Sequence, residues 1–156
     1  MATSSARMEK KEISMAEQKY ESKIASSTSS AQDIYRVMSN LTNIEKVKNL
    51  IPQDKVKEIV AEEDNVRFKV DGIGQMIGFR IEDRIENDTI KYGLENIPME
   101  GHCWIQLKEV APGDTRIKLT IKADMPAMIK MMVGNKLQQG IDKAAEMLAQ
   151  MPFSQM

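Results

Sequence analysis

The stretch "GDTRIKLTIKADMPAMIKMMVGNKLQQGIDKAAEML" (113–148) decides the fold, because the spacing of its apolar residues changes near the middle. In residues 116–122 apolar and polar side chains alternate, as in a strand with one covered face. From Pro126 to about Met151 the apolar residues recur at helical spacing, and proline suits the first helical turn. The sequence therefore predicts a strand that leads into a long amphipathic helix lying on a sheet.

Upstream segments show the same two periods. Alternation with turn signals between the segments predicts further strands, at 66–70, 77–82, 90–95 and 102–108. Helical spacing before them predicts a short helix that starts near Ser30 and a second one over 43–52, after an opening strand from Tyr20 to Ser26. The expected order is strand, two short helices, about six antiparallel strands and one long helix.

The hairpin at Pro112 determines which side chains of the last two strands share a face. A two-residue loop would place Trp104 on the covered face, whereas a loop one residue longer would place Ile105 and its apolar neighbours there. Burial of the apolar residues favours the longer loop. We therefore expect His102 and Trp104 to face away from the covered side.

The segment "SSTSSAQDIYRVMSNLTNIEKVKNLIP" (26–52) and the stretch 113–148 together resemble the START-like or SRPBCC superfamily. The resemblance implies an α+β helix-grip fold, in which a curved antiparallel sheet wraps around a long C-terminal helix and two short helices follow the first strand. The resemblance extends over residues 18–153, which we expect to form a ligand-binding domain. Residues 1–17 are small, polar and charged, and we expect them to be a disordered leader.

The resemblance also implies a hydrophobic cavity between the sheet and the long helix. Its expected lining consists of inward residues of the strands, one residue of the first short helix and the first half of the long helix. These residues are Tyr35, Phe68, Ile77, Phe79, Ile81, Tyr92, Leu94, Cys103, Ile105, Leu107, Leu119, Ile121, Met128, Ile129, Met132, Val133 and Leu137.

Charge and cysteine content exclude several classes of protein. The formal net charge of −1 offers no basic excess for a phosphate backbone, so we expect no nucleic-acid partner. The single cysteine, Cys103, cannot form an internal disulfide and favours a reducing, cytoplasmic compartment. Apolar runs are too short for an integral membrane segment. Neither a metal site nor a cofactor site is indicated by the residue pattern.

Catalysis is not favoured by the pattern, although the sequence leaves it open. His102 and Cys103 are adjacent in a strand and point to opposite faces, so they are not expected to form a catalytic pair. The inward polar candidates are Tyr35, Asp83 and Tyr92. The leading hypothesis is a non-catalytic binding protein for a lipid, quinone or polyketide-like ligand. The alternatives are a cyclase or dehydratase using the same cavity, and a protein-interaction or regulatory module, with weak self-association or a protein partner left open.

Methionines are concentrated at the start of the long helix, where four of the eight residues 125–132 are methionine. Flexible thioethers repack at low cost, whereas Leu148 in the second half of the helix has fewer rotamers. We therefore predict that Met132→Ala lowers the free energy of unfolding by less than the ~2–5 kcal/mol expected of a packed core truncation, and that Leu148→Ala costs the full amount. Urea midpoints of the two variants measure the difference, and equal losses would rule out an adaptable cavity at Met132.

Overall fold

The computed structural model of the protein describes residues 16–50, 54, 56–70, 76–96 and 100–156. Among these, residues 16, 47–50, 129, 132 and 133 are described by their backbone alone. The elements are β1 (Ala16–Glu21), β2 (Ala25–Ser27), α1 (Ala31–Met38), a 3-10 helix (Leu41–Leu50), β3 (Val56–Ala61), β4 (Asn65–Val70), β5 (Met76–Ile85), β6 (Thr89–Glu95), β7 (Gly101–Ala111), β8 (Asp114–Met125), α2 (Ala127–Gln150) and a 3-10 turn (Phe153–Gln155).

The strands form one antiparallel sheet in the order β1-β8-β7-β6-β5-β4-β3, and β2 also pairs with β8. The long helix α2 packs against β8, β1 and β2, whereas α1 packs against β6 and β7 and the 3-10 helix against β3 and β4. The expected α+β helix-grip fold is confirmed, and the described residues contain six strands between the short helices and the long one. The second short helix is a 3-10 helix.

Some sequence-based expectations fall outside the described residues. These are the leader up to residue 15, the end of the second short helix at 51–52 and the side chains of Ile129, Met132 and Val133. Strand β1 begins at Ala16, two residues before the domain boundary that we expected at residue 18.

The single opening strand predicted from the sequence is wrong, because the structure divides it into β1 and β2. Between them, the Ser22 hydroxyl accepts a hydrogen bond from the Leu119 N–H at 2.9 Å. The Lys23 N–H donates to the Asp142 carboxylate on α2 at 2.7 Å. The Ser22 N–H still donates to the Leu119 carbonyl at 2.8 Å, so side-chain bonds interrupt the backbone pairing only beyond this residue, and the pairing with β8 resumes at Ala25.

The β7–β8 hairpin places Ile105 and its apolar neighbours on the covered face, as expected, but its turn is not the longer loop that we predicted. Its turn has only two residues, 112–113, and Gly113 adopts a φ of 75°. A bulge at Val110 then shifts the pairing of β7 with β8 by one residue, so that Ile105 lies opposite Leu119. The bulge in β7, rather than a longer loop, therefore brings the apolar residues of β7 and β8 to the same face.

The N-terminus of α1 is capped twice. The Ser30 side chain accepts a hydrogen bond from the Asp33 N–H at 3.1 Å. The Glu109 carboxylate of β7 accepts one from the Ala31 N–H at 2.8 Å. The carboxylate also faces the positive end of the helix dipole, so it ties the start of α1 to the sheet.

The C-terminus of α1 is held by two side chains of the sheet. The Tyr92 hydroxyl donates to the Met38 carbonyl at 3.0 Å. The Arg84 guanidinium donates to the Ser39 carbonyl at 2.9 Å and to the Asp64 carboxylate at 2.6 Å. Carbonyls at a helix end lack partners within the helix, so these donors satisfy them and fix the helix over β5 and β6.

We predict that Tyr92→Phe lowers the free energy of unfolding by about 1–3 kcal/mol, because it leaves the Met38 carbonyl without its phenol donor. Urea denaturation of the variant and the wild type measures the loss. Tyr35→Phe is the matched control: Tyr35 is partly buried on the same helix, and its hydroxyl makes no hydrogen bond within the described residues. An equal loss in both variants would contradict an anchoring role of the Tyr92 hydroxyl.

Candidate functional site

A cavity of about 330 Å³ lies between the inner face of the sheet and the end of α1 with the 3-10 helix. Strands β3 to β8 form its floor, and α1 and the 3-10 helix form its roof. The lining residues are Met38, Leu41, Ile44, Val56, Ile59, Val66, Phe68, Phe79, Tyr92, Cys103, Ile105 and Leu119. Such a volume lies at the small end of the range of ligand pockets.

Three aromatic rings cross the cavity floor on neighbouring strands. The ring centres of Phe68 and Phe79 are 5.9 Å apart. Those of Phe79 and Tyr92 are 6.5 Å apart at an interplanar angle of 73°, an edge-to-face arrangement. These rings give the floor a rigid apolar surface, on which a ligand ring or chain can pack.

The Tyr92 hydroxyl and the Cys103 thiol are the ionisable groups among the lining residues, and their side chains come from paired positions of β6 and β7. Burial raises the pKa of the Cys103 thiol to about 12. Burial, and to a lesser degree the nearby Cys103, raises the pKa of the Tyr92 phenol, which also donates to the Met38 carbonyl. Both groups are therefore protonated at neutral pH.

Six of the residues that we expected at the cavity lie together on its wall. They are Phe68, Phe79, Tyr92, Cys103, Ile105 and Leu119. They come from five strands, β4 to β8, and the antiparallel register brings them to one face. Alternation along each strand predicted that these side chains share the inner face of the sheet.

Other expected strand residues pack around the cavity wall. Ile81 and Leu107 are buried in the core, and Ile121 packs against that core from a partly buried position. Ile77 and Leu94 are half-buried beside the aromatic row, where Ile77 pairs with Phe68 and Leu94 with Phe79. On α1, the side chain of Tyr35 is also partly buried against the core.

The expected lining residues of α2 do not meet the strand residues at this cavity, as far as their side chains are described. Met128 is 72% exposed, because its position on the first turn of α2 faces solvent. Leu137 is half-buried, and α2 packs on β8, β1 and β2 rather than on the strands that form most of the floor. The side chains of Ile129, Met132 and Val133 remain outside the described part of the chain.

Six of the lining residues were not predicted from the sequence. They are Met38, Leu41, Ile44, Val56, Ile59 and Val66. The helical spacing of Met38 and Ile44 marked them as apolar, but not as facing a cavity. In β3, Glu58 has a φ of 53° and the pairing shifts between Lys57 and Val60. The resulting bulge brings positions 56 and 59 to the same side, which a strict period of two does not allow.

Asp83, a candidate inward acid, faces solvent instead. A bulge at Glu82 shifts the pairing of β5, so that Ile81 lies opposite Tyr92 but Asp83 lies opposite Lys91. The bulge reverses the alternation of the strand, which places Asp83 on the outer face. It places Arg84 on the inner side, where Arg84 reaches the end of α1.

The outer face of the sheet carries a polar cluster around Trp104. The Nδ1 atom of His102 lies 2.6 Å from the Glu82 carboxylate. The Nζ atoms of Lys91 and Lys122 lie 5.5 and 5.8 Å from the centre of the Trp104 ring. His102 and Trp104 thus face away from the cavity, as expected, and His102 is separated from Cys103 by the sheet.

Two further properties bear on the chemistry of the site. Within the described ranges, no group of three or more His, Cys, Asp and Glu residues is placed to hold a metal ion. In the same part of the chain, no helix combines the length and the apolar character needed to cross a bilayer.

Comparison with solved structures supports the fold. Truncated norcoclaurine synthase from Thalictrum flavum superposes with a TM-score of 0.65 at 14% identity, covering 85% of this chain and 91% of that chain. Protein CV1439 from Chromobacterium violaceum gives a TM-score of 0.54 at 15% identity, with 85% and 94% covered. Protein Mll3558 from Rhizobium loti gives 0.57 at 9% identity, with 86% and 99% covered.

No protein-family model and no curated protein sequence matches the chain. At identities this low, the structural similarity establishes the fold alone. The chain has the START-like, helix-grip fold that the sequence resemblance implied.

We predict that native Cys103 reacts slowly with a small neutral disulfide reagent at about pH 8, because a thiol of pKa about 12 has roughly a thousandfold less thiolate there than an ordinary cysteine of pKa ~8.5. The rate should rise with pH without a plateau while the protein stays folded. The urea-unfolded chain is the control and should react at the ordinary rate. A plateau below about pH 10 in the folded protein would contradict the raised pKa, because it would indicate a thiol with an ordinary or lowered pKa.

Proposed function

We propose that this protein binds an apolar small molecule, such as a lipid, a quinone or a polyketide-like compound, in the cavity under α1. The observation that carries the proposal is the composition of the wall, which consists of aliphatic, thioether and aromatic side chains around one phenol and one thiol. The phenol is already hydrogen-bonded to the Met38 carbonyl. A ligand therefore gains its affinity from burial of apolar surface.

Binding is favoured over catalysis by the state of the two ionisable groups. A general acid or base is most effective with a pKa near the operating pH, and a nucleophilic cysteine needs a lowered pKa. Burial shifts the pKa of both Tyr92 and Cys103 upward, away from those ranges. Asp83 and His102 lie on the other side of the sheet, so they are not placed to supply a cyclase or dehydratase with a proton acceptor in this cavity.

Filling the cavity should weaken binding. We predict that Ile59→Trp weakens the binding of anilinonaphthalene sulfonate by about tenfold or more, because the indole occupies space that the probe needs. Val60→Trp is the matched control, since Val60 is the next residue of β3, is 45% exposed and does not line the cavity. Probe fluorescence titrations measure both affinities, and urea midpoints establish that both variants fold.

Equal affinities in the two variants would overturn the proposed site. Native mass spectrometry of protein purified from its own host then separates the proposed functions. A co-purifying apolar small molecule supports the binding protein, whereas a co-purifying protein in the absence of such a molecule supports the regulatory module.

A further inference from the structure

A second, smaller cavity lies on the other side of the cavity roof. Its volume is about 180 Å³, which adds more than half of the volume of the main cavity. It lies between α1 with the 3-10 helix and the end of α2 with the C-terminal residues. The lining residues are Val37, Met38, Asn40, Leu41, Asn43, Ile44, Leu148, Met151 and Met156.

The two cavities share one wall, because Met38, Leu41 and Ile44 line both of them. Parts of the backbone of this wall are fixed. The Met38 carbonyl accepts from the Tyr92 hydroxyl at 3.0 Å, and the Leu41 N–H donates to the Glu63 carbonyl at 2.9 Å. With these parts of the main chain in place, a passage between the cavities would require rotation of the Met38, Leu41 and Ile44 side chains.

Methionines supply the adaptable part of the second cavity. Met38 stands in the shared wall, and Met151 and Met156 line the far side. An unbranched thioether has three rotatable bonds and changes rotamer at low cost, so these side chains can yield to a ligand and fill the space when it leaves. The methionines of the second cavity can therefore adapt to a ligand, whereas Met128 at the start of α2 is exposed to solvent.

The far side of the second cavity is tied to α1. The Arg36 guanidinium donates to the Met156 carbonyl at 2.8 Å and to the Phe153 carbonyl at 3.1 Å. Phe153 itself is completely buried. The backbone of the C-terminal residues is therefore fixed, so that on this side the Met151 and Met156 side chains can move but the main chain stays in place.

We propose that the ligand is a single flexible aliphatic chain that extends from the main cavity past the Met38 side chain into the second cavity. This inference rests on the proposed function and adds the shape of the ligand to it. A linear chain is narrow enough to pass where only side chains of the shared wall move, whereas a rigid fused-ring compound would need the main chain of the roof to move. The second cavity then sets the chain length that the protein prefers.

A series of saturated fatty acids from octanoic to palmitic acid tests this inference, with displacement of anilinonaphthalene sulfonate as the readout. Each methylene that enters an apolar site is expected to strengthen binding about fourfold. In the wild type, the affinity should rise throughout the series. In Met156→Trp, which fills the second cavity, octanoic acid should bind as in the wild type and palmitic acid about tenfold or more weakly.

Gln155→Trp is the matched control, because Gln155 is the neighbouring residue, is exposed and does not line the cavity. It should retain the wild-type series. If Met156→Trp does not fold, Met151→Phe replaces it as the filling variant, because Met151 at the end of α2 lines the same cavity. Palmitic acid affinities that are equal in the filling and control variants would overturn the inference. Absence of binding of every acid and of the probe to the wild type would instead overturn the proposed function.

Discussion

The hydrogen bonds at the two ends of α1 are the contacts on which the cavity depends, since α1 carries the roof. A carboxylate from β7 binds its N-terminus, and a phenol and a guanidinium from the sheet bind its C-terminus. Each charge has the sign that the helix dipole favours. A helix of eight residues is too short to be stable alone. These side chains therefore fix both of its ends to the sheet.

Three bulges adapt the sheet to this arrangement. The bulge at Val110 places Glu109 where it reaches the start of α1, and the bulge at Glu82 turns Arg84 toward the end of α1. The bulge in β3, where Glu58 has a positive φ, brings Ile59 to the cavity. Each bulge reverses the alternation of its strand, so the residues beyond it change face. The polar anchors and the apolar wall thus depend on the same local irregularities.

The apolar wall determines what the cavity can do. Burial keeps the Cys103 thiol and the Tyr92 phenol protonated, and the phenol is committed to the roof. The Glu82 and Asp83 side chains of β5 and the only histidine lie on the outer face of the sheet, whereas Arg84 is bound to the end of α1. Because the interior is apolar, it is suited to hold an apolar molecule. The proposed passage past Met38, which lines both cavities, would allow the length of that molecule to vary.

The sequence by itself determined which face of β4, β7 and β8 is covered, because burial of one face imposes a period that is readable residue by residue. The helix-grip fold followed from the resemblance of residues 26–52 and 113–148 to a known superfamily. The sequence also indicated that His102 and Cys103 do not meet. Only the tertiary structure decided the face of Asp83, the break in the opening strand and the part of the cavity formed by Leu41 and Ile59. These features depend on bulges and on hydrogen bonds between segments distant in the chain, such as that of Ser22 with Leu119, which leave no periodic signal.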